Sequence, residues 1–162
     1  MRSHLLRVLV AVTIVLTVVS PAAAGSASSP KRTATVDAAY VEQLVQTVSL
    51  SAFIGIASGP RDTWFDWSND GCSAPLVGNT GRSFDFTTAC RRHDFGYRNL
   101  RLLERRYGAG STYWNAASRQ RVDKRFLADM RDHCASRPWY DKPTCQAWAT
   151  TFYTAVRVAG GP

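Results

Sequence analysis

The stretch Thr87 to Leu100, TTACRRHDFGYRNL, sets a histidine beside an aspartate, three residues after a cysteine and among arginines. An imidazole exchanges a proton near neutral pH, and a carboxylate can orient that imidazole or hold a cation. Wound at about 100° per residue, Ala89, His93, Gly96, Tyr97, Leu100, Leu103 and Tyr107 share one stripe, with Cys90 at its edge. Arg91, Arg98 and Arg105 fall on the opposite side. His93 therefore faces the interior, while Asp94 lies about 100° round from it, on a rim. A later segment repeats the arrangement: Asp123 lies within the stripe of Val122, Phe126, Leu127, Met130 and Cys134. Asp129 and Asp132 are assigned to the outer face of that segment, beside its basic residues.

A buried carboxylate is costly unless it is paired or hydrogen-bonded. An inward histidine alone is ordinarily a satisfied core residue. An inward aspartate on a second helix gives it a partner that would set its tautomer and stabilise its protonated form. No Gly-x-Ser-x-Gly elbow is present, and the cysteines of an exported chain are oxidised by default, so a His93–Asp123 base would act on water. Such a reaction needs an electrophile for the developing oxyanion. A hard cation suits that role, and calcium accepts carboxylates, carbonyls and water in irregular loops. Asp70, a backbone carbonyl of the Asn69-Asp70-Gly71 turn, and Asp94 form an oxygen-donor set of that kind.

Helices must position these groups. Apolar residues at steps of three and four from Ala34 to Ser58 predict one or two amphipathic helices, stopped by Gly59-Pro60. RDTWFDWSNDGCSAPLVGNTGRSFDF follows, with three glycines and a proline, and reads as an extended functional loop. A helix over Thr87–Tyr107, N-capped by Thr87 or Thr88, ends at Gly108-Ala109-Gly110. Further helices are expected over Ala116–Cys134 and Thr144–Val158. No strand alternation and no repeat is evident. The expected fold is all-α, a small domain of helices and loops stapled by disulfides.

Residues 1–24 combine a basic start, the apolar run Val8 to Val19 and an Ala22-x-Ala24 ending, the pattern of a secretory signal peptide. Residues 25–34 read as a flexible new N-terminus and residues 35–162 as one domain, so the product is expected to be extracellular. Losing Arg2 and Arg7 from 20 basic residues leaves 18 against 12 acidic ones, about +6, which suits nucleic acid or an anionic membrane equally. Cys72, Cys90, Cys134 and Cys145 allow three disulfide pairings. Zinc is disfavoured, because no Cys-x-x-Cys occurs and only His93 and His133 follow the leader.

FDWSNDGC followed by CRRHDFGYRN resembles the secreted bacterial and fungal phospholipase A2 family, and SRQRVDKRFLADMRDHC resembles its second catalytic helix. The likeness runs from about Thr63 to Val158. It implies two antiparallel catalytic helices, a calcium loop, and hydrolysis of the sn-2 acyl ester of glycerophospholipids. It implies His93 as the base for water, Asp123 as its orienting partner, and one calcium ion held by Asp70, the Gly71 carbonyl and Asp94. It also implies the pairings Cys72–Cys90 and Cys134–Cys145, and a monomer working at a phospholipid membrane or micelle surface, with no nucleic-acid partner. Gly71 stands where the family pattern has an apolar residue, and the connection LLERRYGAGSTYWN between His93 and Asp123 is longer than that pattern; the Cys72–Cys90 loop is also slightly longer.

Tyr97 shares the His93 stripe, where it either packs in the core, holds Asp123 or shapes the acyl slot. Trp64, Trp67, Trp114, Trp139 and Tyr140 are candidate interfacial anchors, with Trp114 preferred and Trp67 assigned to packing. Two rival readings are a non-enzymatic membrane-binding or toxic module on the same fold, and a basic secreted nuclease. The second lacks the several metal-ligating histidines that its chemistry needs.

Overall fold

The computed structural model describes residues 32–72 and 78–161; the expected signal peptide lies outside them, as does most of the 25–34 segment. Helix α1, Ala34–Glu42, is capped by Thr33, whose hydroxyl accepts the Val36 N–H, and runs into a π-helical turn over Gln43–Thr47. Ser49 caps α2, Leu50–Ser58, and Gly59 ends it, as the breaker pair predicts. The remaining helices are α3 (Thr87–Tyr107), α4 (Ala116–Ala135) and α5 (Lys142–Ala159), close to the expected spans. Pro143 sits in the first turn of α5, where its missing N–H costs nothing.

Two details differ from the sequence reading. The loop before α3 holds a short antiparallel hairpin, β1 (Thr80–Gly81) paired with β2 (Phe84–Asp85). Two-residue strands are too short to show an alternation. Neither Thr87 nor Thr88 caps α3: Phe86 holds the N-cap position, and the Asp85 carboxylate accepts the Thr87 N–H at 3.0 Å.

Early α3 faces late α4, since Arg92 meets Asp129 and His93 meets Asp123, so the two helices run antiparallel. Gly96 lets them close: a Cβ there would lie 2.8 Å from Val122 Cγ1 and 3.3 Å from Val45 Cγ2. Val41, Leu44, Val45, Phe53, Phe95 and Leu100 form one apolar cluster under α1, the π-turn and α2. Phe84, Phe86, Phe126, Met130 and Phe152 form a second between the hairpin, α4 and α5. Cys72 pairs with Cys90 and Cys134 with Cys145, the two pairings that the resemblance implies. The first ties the loop to α3 and the second joins α4 to α5. Among the described residues, no helix is long and apolar enough to cross a membrane.

The charges inside the fold exceed those foreseen. Asp129, assigned to the outer face, is buried and forms a two-pronged ion pair with buried Arg92, whose Nε lies 2.8 Å from Asp129 Oδ2. Seven residues past Val122, Asp129 is only about 20° out of that residue's phase, and the assumption that charge faces water misplaced it. Arg92 also donates to the Val48 carbonyl at 2.8 Å, fixing the exit of the π-turn.

Asp37 is also fully buried, accepting from Trp64 Nε1 (2.6 Å), the Tyr107 hydroxyl (2.9 Å) and Arg32 (3.1 Å). Burial raises its pKa, but the donors outweigh burial and hold it below the usual carboxylate range. A depressed native pKa gives stability that is present above the unfolded value, about 3.9, and is lost as pH falls through the native one. Asp37→Asn should lower unfolding stability at pH 7 by about 2 kcal/mol and flatten the loss of Tm below about pH 4. Thermal melts of both proteins from pH 2 to 7 test this; parallel curves would exclude the linkage.

Candidate active site

α3 and α4 bring His93 and Asp123 together as their phases predict. His93 Nε2 lies 2.9 Å from Asp123 Oδ1, with both residues buried. Burial would raise the Asp123 pKa, but hydrogen bonds from His93, Tyr97 and Arg157 overcome it and hold the carboxyl below its ordinary range. An ionised carboxylate only accepts, so Nε2 carries a proton, and in the neutral ring Nδ1 keeps its lone pair. The ring is wedged between Tyr97 and Phe126, with centroids at 4.2 and 4.6 Å.

Tyr97 supports Asp123 as well as packing: its hydroxyl donates to Oδ1 at 2.6 Å. Burial and the neighbouring carboxylate push the phenol pKa well up, so it stays a donor. The sequence reading missed a further partner, Arg157 of α5, which donates to Asp123 Oδ2 at 2.7 Å. Arg119 Nε approaches the same oxygen at 3.6 Å. An arginine in a helix's last turn ordinarily reads as a solvated charge facing the dipole, so no sequence signal marked Arg157.

Asp94 turns away from Asp123, toward the loop, and its Oδ2 accepts the Asp70 N–H at 3.1 Å. Burial, then the charge of Asp70, raise the Asp94 pKa to about 7. Asp70 itself is mostly exposed, with Arg98 at 3.3 Å. Gly71 has φ +71°, a left-handed conformation, and a Cβ there would meet the Asn79 amide at 2.8 Å. The same amide oxygen accepts the Cys72 N–H at 2.7 Å. The departure at Gly71 thus has a local cause: Asn79 fills the space that a side chain would need, and the backbone requires glycine.

These donors suit a hard cation. The Asp94 carboxylate, whose ionisation burial and the Asp70 charge oppose, would be relieved by positive charge, and the set offers oxygen alone. Among the described residues no group of three or more His, Cys, Asp or Glu side chains is placed to hold a metal, so loop carbonyls and water would complete the shell.

His93, Asp94, Tyr97, Asp70 and Gly71 all line one cavity of about 470 Å³, together with Phe126, Phe152, Ala155 and Val156. The cavity therefore offers both polar groups and apolar side chains, a lining suited to an amphiphile. Trp114, the preferred interfacial anchor, is instead half-buried against Tyr97, with centroids at 5.0 Å. Glu104 accepts its backbone N–H and draws the long α3–α4 connection inward. Trp67 packs on Phe95 at 4.5 Å, as assigned. Trp139 and Tyr140, 80% and 60% exposed at the α4–α5 turn, remain outside, as does Trp64 at 39%.

A helical, disulfide-stapled fold with a His–Asp pair opening onto an amphiphilic slot defines a class of lipid-ester hydrolases. The sequence profile of the family described as prokaryotic phospholipase A2 matches residues 41–160, and the chain belongs to that family. It is 30% identical over 139 residues to a secretory phospholipase A2 of Arthroderma benhamiae, covering 83% of this chain and 87% of the relative. A secretory phospholipase A2 of Beauveria bassiana is 29% identical over 146 residues, 90% of this chain and 67% of the relative. The chain is an ester hydrolase of the phospholipase A2 type.

Proposed function

We propose that this protein is a secreted, calcium-dependent phospholipase A2 that cleaves the sn-2 acyl ester of glycerophospholipids with water activated by His93. The hydrogen bond of His93 Nε2 to an ionised Asp123 carries the reading, because it leaves Nδ1 as an unprotonated base beside an amphiphilic cavity. Nδ1 takes the proton of the attacking water, and Asp123 offsets the imidazolium charge that forms. The proton then passes from Nδ1 to the departing glycerol oxygen. Tyr97 and Arg157 hold the Asp123 carboxylate, so the imidazole keeps its angle as its charge changes.

Asp70, the Gly71 carbonyl and Asp94 would hold one calcium ion, which when bound polarises the ester carbonyl and takes up oxyanion charge. The Cys72–Cys90 bridge anchors that loop to the helix bearing His93 and Asp94, tying the two halves of the site together. Residues 1–24 act as the export leader in this reading, and the enzyme works as a monomer on phospholipid surfaces.

Fatty-acid release from phospholipid vesicles, measured with calcium and with excess EGTA, tests the assignment. Chelation should lower the rate by at least about 10²-fold, the order expected for losing an oxyanion stabiliser, and added calcium should restore it. Equal release in both buffers would exclude calcium dependence. Labelled acyl chains at each position distinguish sn-2 from sn-1 cleavage.

A further inference from the structure

Arg101 lines the mouth of the cavity from α3, two turns past His93. Its guanidinium carbon sits 4.4 Å from the Trp114 ring centroid and 5.8 Å from that of Tyr97. No carboxylate among the described residues lies within ion-pair distance of it, whereas Arg98, its neighbour at the mouth, is engaged by Asp70. The aromatic platform is itself fixed. The Glu104 carboxylate accepts the N–H groups of Tyr113 (2.6 Å) and Trp114 (3.1 Å), and Asn115 and Ser118 close a capping box directly after them. The long connection between α3 and α4 therefore holds Trp114 beneath an arginine whose hydrogen-bond donors face no protein acid. Stacking costs the guanidinium little, since its edge N–H groups stay free to bind an anion in a fork.

We propose that Arg101 is a specificity-determining residue that binds the phosphodiester of the substrate headgroup and favours phospholipids of net negative charge. The proposal rests on the phospholipase reading above. A zwitterionic headgroup brings its own cation next to the guanidinium, which offsets the attraction; an uncharged polyol headgroup does not.

The test uses short-chain phosphatidylglycerol and phosphatidylcholine as monomers below their micelle concentrations, so that attraction of the basic protein to a charged surface plays no part. The quantity read is the ratio of kcat/KM for the two lipids in calcium buffer, which does not depend on the fraction of a preparation that is folded. The wild-type ratio should exceed one, fall by roughly three- to tenfold in Arg101→Gln, and be kept in Arg105→Gln, which removes an exposed charge of the same helix outside the cavity. A wild-type ratio near one, an unchanged ratio in Arg101→Gln, or an equal fall in Arg105→Gln would overturn the assignment while leaving the phospholipase reading intact. Failure to hydrolyse either lipid would overturn that reading itself.

Discussion

Glutamine in place of His93 should lower fatty-acid release by about 10²- to 10⁴-fold, the range for removing a positioned general base. A glutamine amide can still donate to Asp123 Oδ1, where His93 Nε2 now lies at 2.9 Å, so the buried carboxylate keeps a partner. It offers no basic nitrogen to water. The loss should therefore fall on kcat, with KM little changed, because the imidazole acts most strongly in the transition state. Circular dichroism and a thermal melt control for folding, and the melt should shift by no more than one lost hydrogen bond implies, about 1 kcal/mol. A variant rate within tenfold of wild type, at unchanged Tm, would mean that His93 is a satisfied core residue and that the base lies elsewhere.

Breaking the Arg92–Asp129 pair should be the most destabilising charge substitution in the chain. Both side chains are almost wholly buried, at 1% and 2% exposure, and removing one leaves the other charged in an apolar setting. Such cuts cost about 3–5 kcal/mol. The two single variants should differ. After Arg92→Met, Asp129 retains the partly exposed Arg125, whose Nε lies 3.2 Å away, so the loss should sit near the lower end. After Asp129→Leu, the Val48 carbonyl is the hydrogen-bond partner left to Arg92 among the described residues, and the loss should approach the upper end. The double variant should recover much of the stability, since an apolar pair of similar volume bears no desolvation cost. Urea unfolding of all four proteins measures this. Additive losses in the double variant would show that the pair is not coupled.

How much of this was legible in the chain depends on which physical signal carried each element. α3, α4 and α5 were readable because their apolar positions repeat at the helical period, and because Gly108-Ala109-Gly110 ends the first of them. The meeting of His93 and Asp123 followed from the same period. Asp37 carried a usable signal: it stands four, seven and eight residues before Val41, Leu44 and Val45, inside their stripe. Arg92 and Asp129 were likewise in phase with buried neighbours. For Asp129 the expectation that charge faces water overrode the phase, and Asp37 and Arg92 were assigned to no face. That expectation holds for a lone charge and fails for a charge whose partner lies on another element.

The sequence by itself determined the helical class, the pairing of an inward histidine with an inward aspartate, and the divergence of Asp94 from its neighbour. Each is a consequence of local periodicity, which the backbone geometry of a helix imposes on any chain. Only the tertiary structure decided the rest. Arg157 reaches Asp123 from α5, 34 residues away, because α4 and α5 pack side by side. Gly71 proved to hold a left-handed backbone beside the Asn79 amide, in a loop with no period to read. Trp114 turned inward onto Tyr97, since Glu104 captures the backbone of its connection. These contacts join residues that no repeat relates, so only the fold of the chain could bring them together.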